Sequence, residues 1–280
     1  MSPTVTEKVR AIVHRTRGNQ HGPITRLMSP GDLGERLKPF VFLDLVSLPA
    51  TAARPAFGMH PHSGIATVTF TETGETFYED TTGKTGVLRA GGVEWMRAGN
   101  GVWHSGGLSD GSAFLGFQLW VALPASEENA PAESLYLAPS DVPREGPARV
   151  LLGRYGQAHS PIPAPARMNY LAVRLKDGER WRYVPPSDHT VAWVAVSAGR
   201  LDADGRIDAG VLAVFEESGE PIDFIASGET TFVLGSAVKH PHDLVMGHYS
   251  VHTSAGALAQ GEAEIRRIGA RLPMPPRGSN

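Results

Sequence analysis

Short strand-forming runs, each closed by a glycine turn, constrain this chain more than any other feature of its sequence. Val68-Thr69-Phe70-Thr71 stops at Thr73-Gly74-Glu75, Thr76-Phe77-Tyr78-Glu79-Asp80 at Thr82-Gly83-Lys84, and Gly86-Val87-Leu88-Arg89 at Ala90-Gly91-Gly92. β-Branched and aromatic residues favour a pleated strand and glycine supplies the turn conformations, so this rhythm specifies an all-β sandwich or barrel. The second half repeats the punctuation, with apolar runs at 191–196, 210–215, 222–227 and 231–235 separated by glycine-bearing turns. An internal duplication produces such an echo, so the predicted fold is all-β, two similar β-barrels with a short C-terminal helix. The helix is placed over 254–268, where Ser254 can cap and Leu258, Ile265 and Ile268 are apolar, although two glycines weaken it.

The expected division is a first barrel over 1–130, a Pro- and Ala-rich connection over 131–165, a second barrel with the helix over 166–272, and a frayed tail over 273–280. Residues 9–15 read as the first strand, 40–45 as a more fully buried one, and 149–152 as a strand-like island inside the connection. With no cysteine among 280 residues there is no disulfide framework and no thiolate chemistry, which fits a reducing compartment, and residues 1–8 show no apolar signal core, so the cytoplasm is the expected location. The formal charge is only -3 and no long basic run occurs, so direct nucleic-acid binding is not indicated. No run approaches the ~18 apolar residues of a membrane span. No Ser-His-Asp pattern, phosphate loop or dinucleotide fingerprint rises above chance.

Chemistry concentrates in Met59-His60-Pro61-His62-Ser63-Gly64, followed later by Gly99-Asn100-Gly101-Val102-Trp103-His104-Ser105-Gly106. Side chains alternate along a strand, so His60 and His62 point the same way; Ala66, Val68 and Phe70 are read on that face too, which makes it otherwise apolar. Two imidazoles from one strand and a third, His104, from a later turn match what a mononuclear metal needs: neutral nitrogen donors in a dry cavity. The second half lacks an H-x-H pair at the corresponding place, where only His189 stands, so chemistry is expected in the first half alone. Lys239-His240-Pro241-His242 with His248 and His252 reads as an exposed loop with incidental imidazoles; the rival is a second metal site.

His60-Pro61-His62-Ser63-Gly64-Ile65-Ala66-Thr67-Val68-Thr69-Phe70, the run from Gly86 through Ser105, and Gly116-Phe117-Gln118-Leu119-Trp120-Val121 together resemble the pirin family of bicupin proteins, over about 21–122. The resemblance implies a pair of cupin barrels and one mononuclear metal in the N-terminal barrel, usually iron. In several members it also implies quercetin 2,3-dioxygenase activity, and other members look like metal-dependent regulators that bind a partner protein. Carried over by position, the family's ligands fall on His60, His62 and His104. Its fourth ligand, a glutamate, falls on Gly106, and a further carboxylate falls on Ala66. The site so inferred is three neutral imidazoles with open positions for water, suited to iron first and to zinc, nickel or copper as alternatives. Gln118 is the expected pocket residue, orienting substrate or water, and Glu94 reads as an outward, solvated side chain. Three functions follow from this: an oxygenase of a small aromatic, flavonol-like substrate; a metal- or redox-responsive protein recognised by a partner protein; or a degenerate cupin that holds a small organic ligand without metal.

Overall fold

A seven-stranded antiparallel sheet forms one wall of the first barrel, in the order Glu133–Leu137, Val93–Arg97, Ile65–Thr73, Phe114–Ala122, Phe40–Leu48, Ile24–Met28, Asn19–His21. The opposite wall is a four-stranded sheet in the order Ala56–His62, Val102–Leu108, Glu75–Asp80, Thr85–Arg89. The structure is a computed structural model and describes residues 9–52, 56–108, 111–164 and 167–272; the tail expected at 273–280 lies outside the described residues. The second barrel is a nine-stranded sheet built around Ile222–Ala237, which pairs with both Met168–Leu175 and Val191–Asp202. The all-β bicupin expectation, with one short C-terminal helix, thus describes the molecule.

Both faces of the seven-stranded sheet are covered, because its outer face packs on the second barrel. Val68, Phe70, Val93 and Trp95 share one apolar cluster with Tyr170, Trp193 and Val233. Phe40 meets Trp193 edge-on, ring centroids 5.5 Å apart at 82°. The second barrel's interior is filled by aromatics, among them Trp181, Tyr183, Phe224 and Phe232, which leaves packing rather than a cavity at its centre.

Chain ends cross between the barrels, which the sequence does not reveal. Ile12–Thr16, expected to open the first barrel, instead pairs with Leu212–Phe215 of the second sheet. Arg10 anchors this exchange: it is fully buried and donates from Nε to the Glu216 carbonyl at 2.9 Å and from Nη2 to that of Thr190 at 2.5 Å. At the other end, Ser250–His252 and the helix Ala255–Gly269 lie on the first barrel, not the second. Ser250 bridges to Ser63, and Trp103 Nε1 donates to the Ile265 carbonyl at 2.9 Å. The segment 131–165 is not a bare connection either. It gives the first sheet its edge strand Glu133–Leu137 and the second sheet Arg144–Glu145 and Ala148–Leu152.

Ser254 caps the helix, accepting from the Ala257 N–H at 3.2 Å. Gly261, which costs helix propensity, is there for contact: a Cβ at this position would stand 2.5 Å from Ser63 Oγ and 2.7 Å from His252 Nε2. Among the described residues no helix is long and apolar enough to cross a membrane.

Candidate metal centre

Gly64 ends the reading of 60–70 as one strand. Its φ of +73° turns the chain, and a Cβ there would collide with the Val251 carbonyl oxygen at 2.0 Å. His60 and His62 therefore sit on Ala56–His62 of the small sheet, whereas Ala66, Val68 and Phe70 sit on the large sheet and face the second barrel. The shared apolar face expected from alternation does not exist, because alternation holds only within an unbroken strand.

His104 is the register partner of His60, and His62 lies opposite Val102, so the three imidazoles converge on one side of the small sheet. Their ring centroids are 4.3 Å (His60–His104), 5.0 Å (His62–His104) and 5.1 Å (His60–His62) apart. One ring nitrogen from each falls within 4.8 Å of the others, and no other such group of three occurs among the described residues. A backbone carbonyl fixes two of the tautomers. His60 Nδ1 donates to the Gly58 carbonyl at 2.8 Å and His62 Nδ1 to that of Tyr249 at 2.9 Å, which leaves their Nε2 lone pairs free. His104 Nε2 is buried without a hydrogen-bond partner among the described residues. An orphaned buried nitrogen beside two oriented lone pairs fits a metal ion, which would satisfy all three.

Electrostatics agrees with that fit. Burial, reinforced by His60, pushes the His62 imidazole down to about 3. Burial also lowers His60, and lowers His104 well below the usual range. All three are neutral at pH 7, the form that donates to a metal. Gly106, which has no donor, follows a bulge at Ser105. A Cβ added there would meet only the Phe77 carbonyl oxygen, at 3.1 Å.

The Tyr249 carbonyl that orients His62 comes from the turn between Val245–Gly247 and Ser250–His252, and Tyr249 has a φ of +60°, sparsely populated for a bulky residue. A buried chain of polar contacts holds this turn. Ser63 Oγ lies 2.9 Å from both Ser250 Oγ and His252 Nε2, while His252 Nδ1 donates to Glu128 Oε2 at 3.1 Å. Glu128 also accepts from the Thr253 N–H at 2.7 Å and its hydroxyl at 2.6 Å. The reading of the second histidine cluster as an exposed loop therefore fails for two of its members: His252 belongs to this chain, and His240 is buried against the Leu123 carbonyl at 3.2 Å. His242 and His248 are exposed.

The imidazoles form part of the wall of a cavity of about 720 Å³. Phe42 and Trp120 are stacked beside them at 4.1 Å and 9°, and Trp120 meets His62 edge-on at 4.9 Å. Across the cavity runs a rung of polar side chains in strict register on six strands: Arg26, Asp44, Gln118, Thr69, Glu94 and Tyr136. Gln118 lies on this rung, on the large sheet opposite the histidines. Glu94, expected outside, is buried and lines the cavity. Val93 and Trp95 on either side of it pack against the second barrel, so the only place left for Glu94 is inward. The signal present in the sequence is a polar residue between two apolar neighbours, at Asp44 in Phe40–Leu48, Thr69 in Ile65–Thr73, Glu94 in Val93–Arg97 and Gln118 in Phe114–Ala122; only cross-strand register aligns them.

The Pirin family model matches residues 23–121. A pirin-like protein of Caulobacter vibrioides is 32% identical over 252 residues, covering 84% of this chain and 85% of the relative. The crystal structure of a quercetin 2,3-dioxygenase from Acinetobacter baumannii superposes with a TM-score of 0.85 at 25% identity, covering 95% of this chain and 100% of that one. The bacterial pirin YhhW of Escherichia coli, crystallised with nickel(II), shares the fold at a TM-score of 0.65 and 17% identity, over 83% of this chain and 99% of that one. With these matches in sequence and in architecture, this chain belongs to the pirin family.

Proposed function

We propose that this protein is a metal-dependent oxygenase of planar enolic aromatics, with flavonols as the probe class. A single divalent transition metal would be held by His60, His62 and His104; iron is the first choice, and zinc, nickel and copper also suit an all-imidazole set. The observation that carries this reading is the convergence of three neutral imidazoles, one with an orphaned buried nitrogen, on an aromatic-walled cavity. The Acinetobacter relative, named a quercetin 2,3-dioxygenase, supports the choice of substrate class.

Bound there, the metal would supply Lewis acidity toward substrate hydroxyl oxygens and a binding position for O₂. The protein's own groups do the positioning. The Phe42–Trp120 stack, with the Arg26 guanidinium 3.9 Å from the Phe42 ring centroid, gives the cavity an aromatic wall for a planar substrate. Gln118, 2.8 Å from the Thr69 hydroxyl, presents an amide that orients a substrate hydroxyl or a water from the opposite wall. Gly106 keeps the space beside His104 open for substrate oxygens. Reconstitution with Fe(II), Ni(II), Cu(II) or Zn(II), followed by quercetin loss and O₂ uptake, tests the reading. Protein that binds metal and turns over quercetin with none of these would refute the oxygenase assignment. It would favour a responsive protein recognised by a partner, a role for which Tyr249 is suited, because its carbonyl bonds His62 while the residue is 44% exposed.

A further inference from the structure

A substrate that binds a metal as an enolate must first lose its hydroxyl proton, and the three imidazoles cannot receive it. Their Nε2 lone pairs would be the metal donors, and the Nδ1 positions of His60 and His62 already carry hydrogens bonded to carbonyls. The described residues lining the cavity include two carboxyls, Asp44 and Glu94. Asp44 is occupied at both oxygens by Arg26, Nε to Oδ1 at 2.5 Å and Nη2 to Oδ2 at 3.1 Å. Glu94 has hydroxyls and an acid around it rather than a cation. Thr69 Oγ1 lies 2.5 Å from Glu94 Oε2, and the Tyr136 hydroxyl lies 3.5 Å from Glu94 Oε1 and donates to Asp80 Oδ2 at 2.9 Å.

Proton counting shows what this arrangement permits. Thr69 has one hydroxyl hydrogen but touches two acceptors, Glu94 Oε2 and Gln118 Oε1. With Glu94 protonated, its O–H donates to Thr69, and Thr69 donates to Gln118. With Glu94 ionised, the Thr69 hydroxyl turns to the carboxylate, and a flip of the Gln118 amide lets its N–H donate to Thr69. Each protonation state of Glu94 thus has a complete set of hydrogen bonds, reached by one hydroxyl rotation and one amide flip. A buried carboxyl locked by arginine or by several backbone N–H groups has no such freedom.

We propose that Glu94 is the proton acceptor of the cavity, taking the hydroxyl proton of an enolic substrate whose oxygen binds at the His60–His62–His104 centre. The substrate O–H bond breaks, an O–H bond forms on the Glu94 carboxylate, and the electron pair stays on the substrate oxygen. Negative charge thereby passes from Glu94 to the substrate oxygen, and among the described residues no carboxylate joins the three imidazoles at that centre. Glu94 and the three imidazoles line the same cavity, so a substrate held at the centre shares its space with the carboxyl. The electrostatics of the rung suits the role: burial first, then Asp80, raise Glu94 to about 7, against the opposing bonds from Thr69 and Tyr136. A base poised near the working pH is the effective one. Tyr78, stacked on Tyr136 at 3.5 Å, is a further titratable group on that side.

The proposal rests on the metal-centre reading, and the test separates the two. Wild type, Glu94→Gln and Glu94→Asp are loaded with Ni(II) or Fe(II), checked for metal content, and titrated with quercetin without oxygen while the red-shifted absorption band of the flavonolate is followed from pH 5 to 9. The expected result is equal metal in all three. Wild type should form the flavonolate band at a pH at least one unit lower than Glu94→Gln does, and Glu94→Asp should recover most of the wild-type behaviour. If turnover is present, kcat of Glu94→Gln should fall about 100-fold or more with KM little changed. Glu94→Gln that keeps metal and reproduces the wild-type band and kcat would overturn the assignment of Glu94 alone. A wild type that takes up no metal would overturn the metal-centre reading and this proposal with it.

Discussion

Replacing Glu94 by glutamine should stabilise the metal-free protein, and by an amount that depends on pH in a defined way. Glu94 is 5% exposed and its carboxyl is raised from the ordinary 4.5 to about 7, with burial as the largest cause. The folded state therefore holds this proton more tightly than the unfolded chain does. The associated stability is fully present below about pH 4.5, is lost as pH rises toward 7, and does not change above that. At about 1.4 kcal/mol for each tenfold difference in proton affinity, the total is on the order of 3 kcal/mol. Glutamine has the same shape and does not titrate. Urea melts of metal-free wild type and Glu94→Gln at pH 5 and pH 8 should show the variant gaining roughly 2 to 3 kcal/mol relative to wild type between the two conditions. A difference that stays constant to within about 0.5 kcal/mol would mean that Glu94 titrates as an ordinary carboxylate, and would refute the picture of a desolvated acid on the cavity wall.

Other consequences follow from single contacts. Gly106→Glu should tighten divalent metal binding in a chelator competition, because a Cβ there meets only the Phe77 carbonyl oxygen and the added carboxylate offsets cationic charge; unchanged affinity would show that position 106 does not reach the metal. Glu128→Ala removes the buried acceptor of His252 and Thr253 that holds the Tyr249 turn, so it should cost about 1–3 kcal/mol in urea melts and weaken metal binding about 10-fold or more. Wild-type metal affinity in that variant would show that the turn does not orient His62. Gly261→Ala should destabilise by about 1–3 kcal/mol despite alanine's better helix propensity, since its methyl would press on Ser63 and His252; a stabilised variant would contradict the close approach of helix and turn.

Much of the architecture was legible because glycine turns and apolar runs are local signals. The H-x-H spacing and the pirin-like motifs are local as well, and the structure brings His60, His62 and His104 together and puts Gln118 on the cavity wall. What was not legible depends on register and on long-range pairing. Glu94 reads as solvated if a sheet has one wet face, but here Val93 and Trp95 are covered by a second barrel, so the polar side chain between them must face the cavity. The rung from Arg26 to Tyr136 exists only once six strands align. The placement of Ile12–Thr16 on the second sheet, and of Tyr249 and His252 beside His62 and Ser63, joins segments nearly two hundred positions apart, which no periodicity encodes. Gly64 was the one local clue that would have separated the histidine strand from Ile65–Thr73, since its position after Ser63 marks a turn.

The central claim is a single metal held by the three histidines of the first barrel. Elemental analysis of protein purified and then reconstituted with Fe(II) or Ni(II) tests it directly, on wild type, on His62→Ala and on His189→Gln. His189 is buried in the second barrel, bonded to Ser236 at 2.9 Å, and serves as the control. The account predicts up to one metal per chain in wild type and in His189→Gln, and loss of nearly all of it in His62→Ala. Equal metal in wild type and His62→Ala, or its loss on His189→Gln, would contradict the assignment.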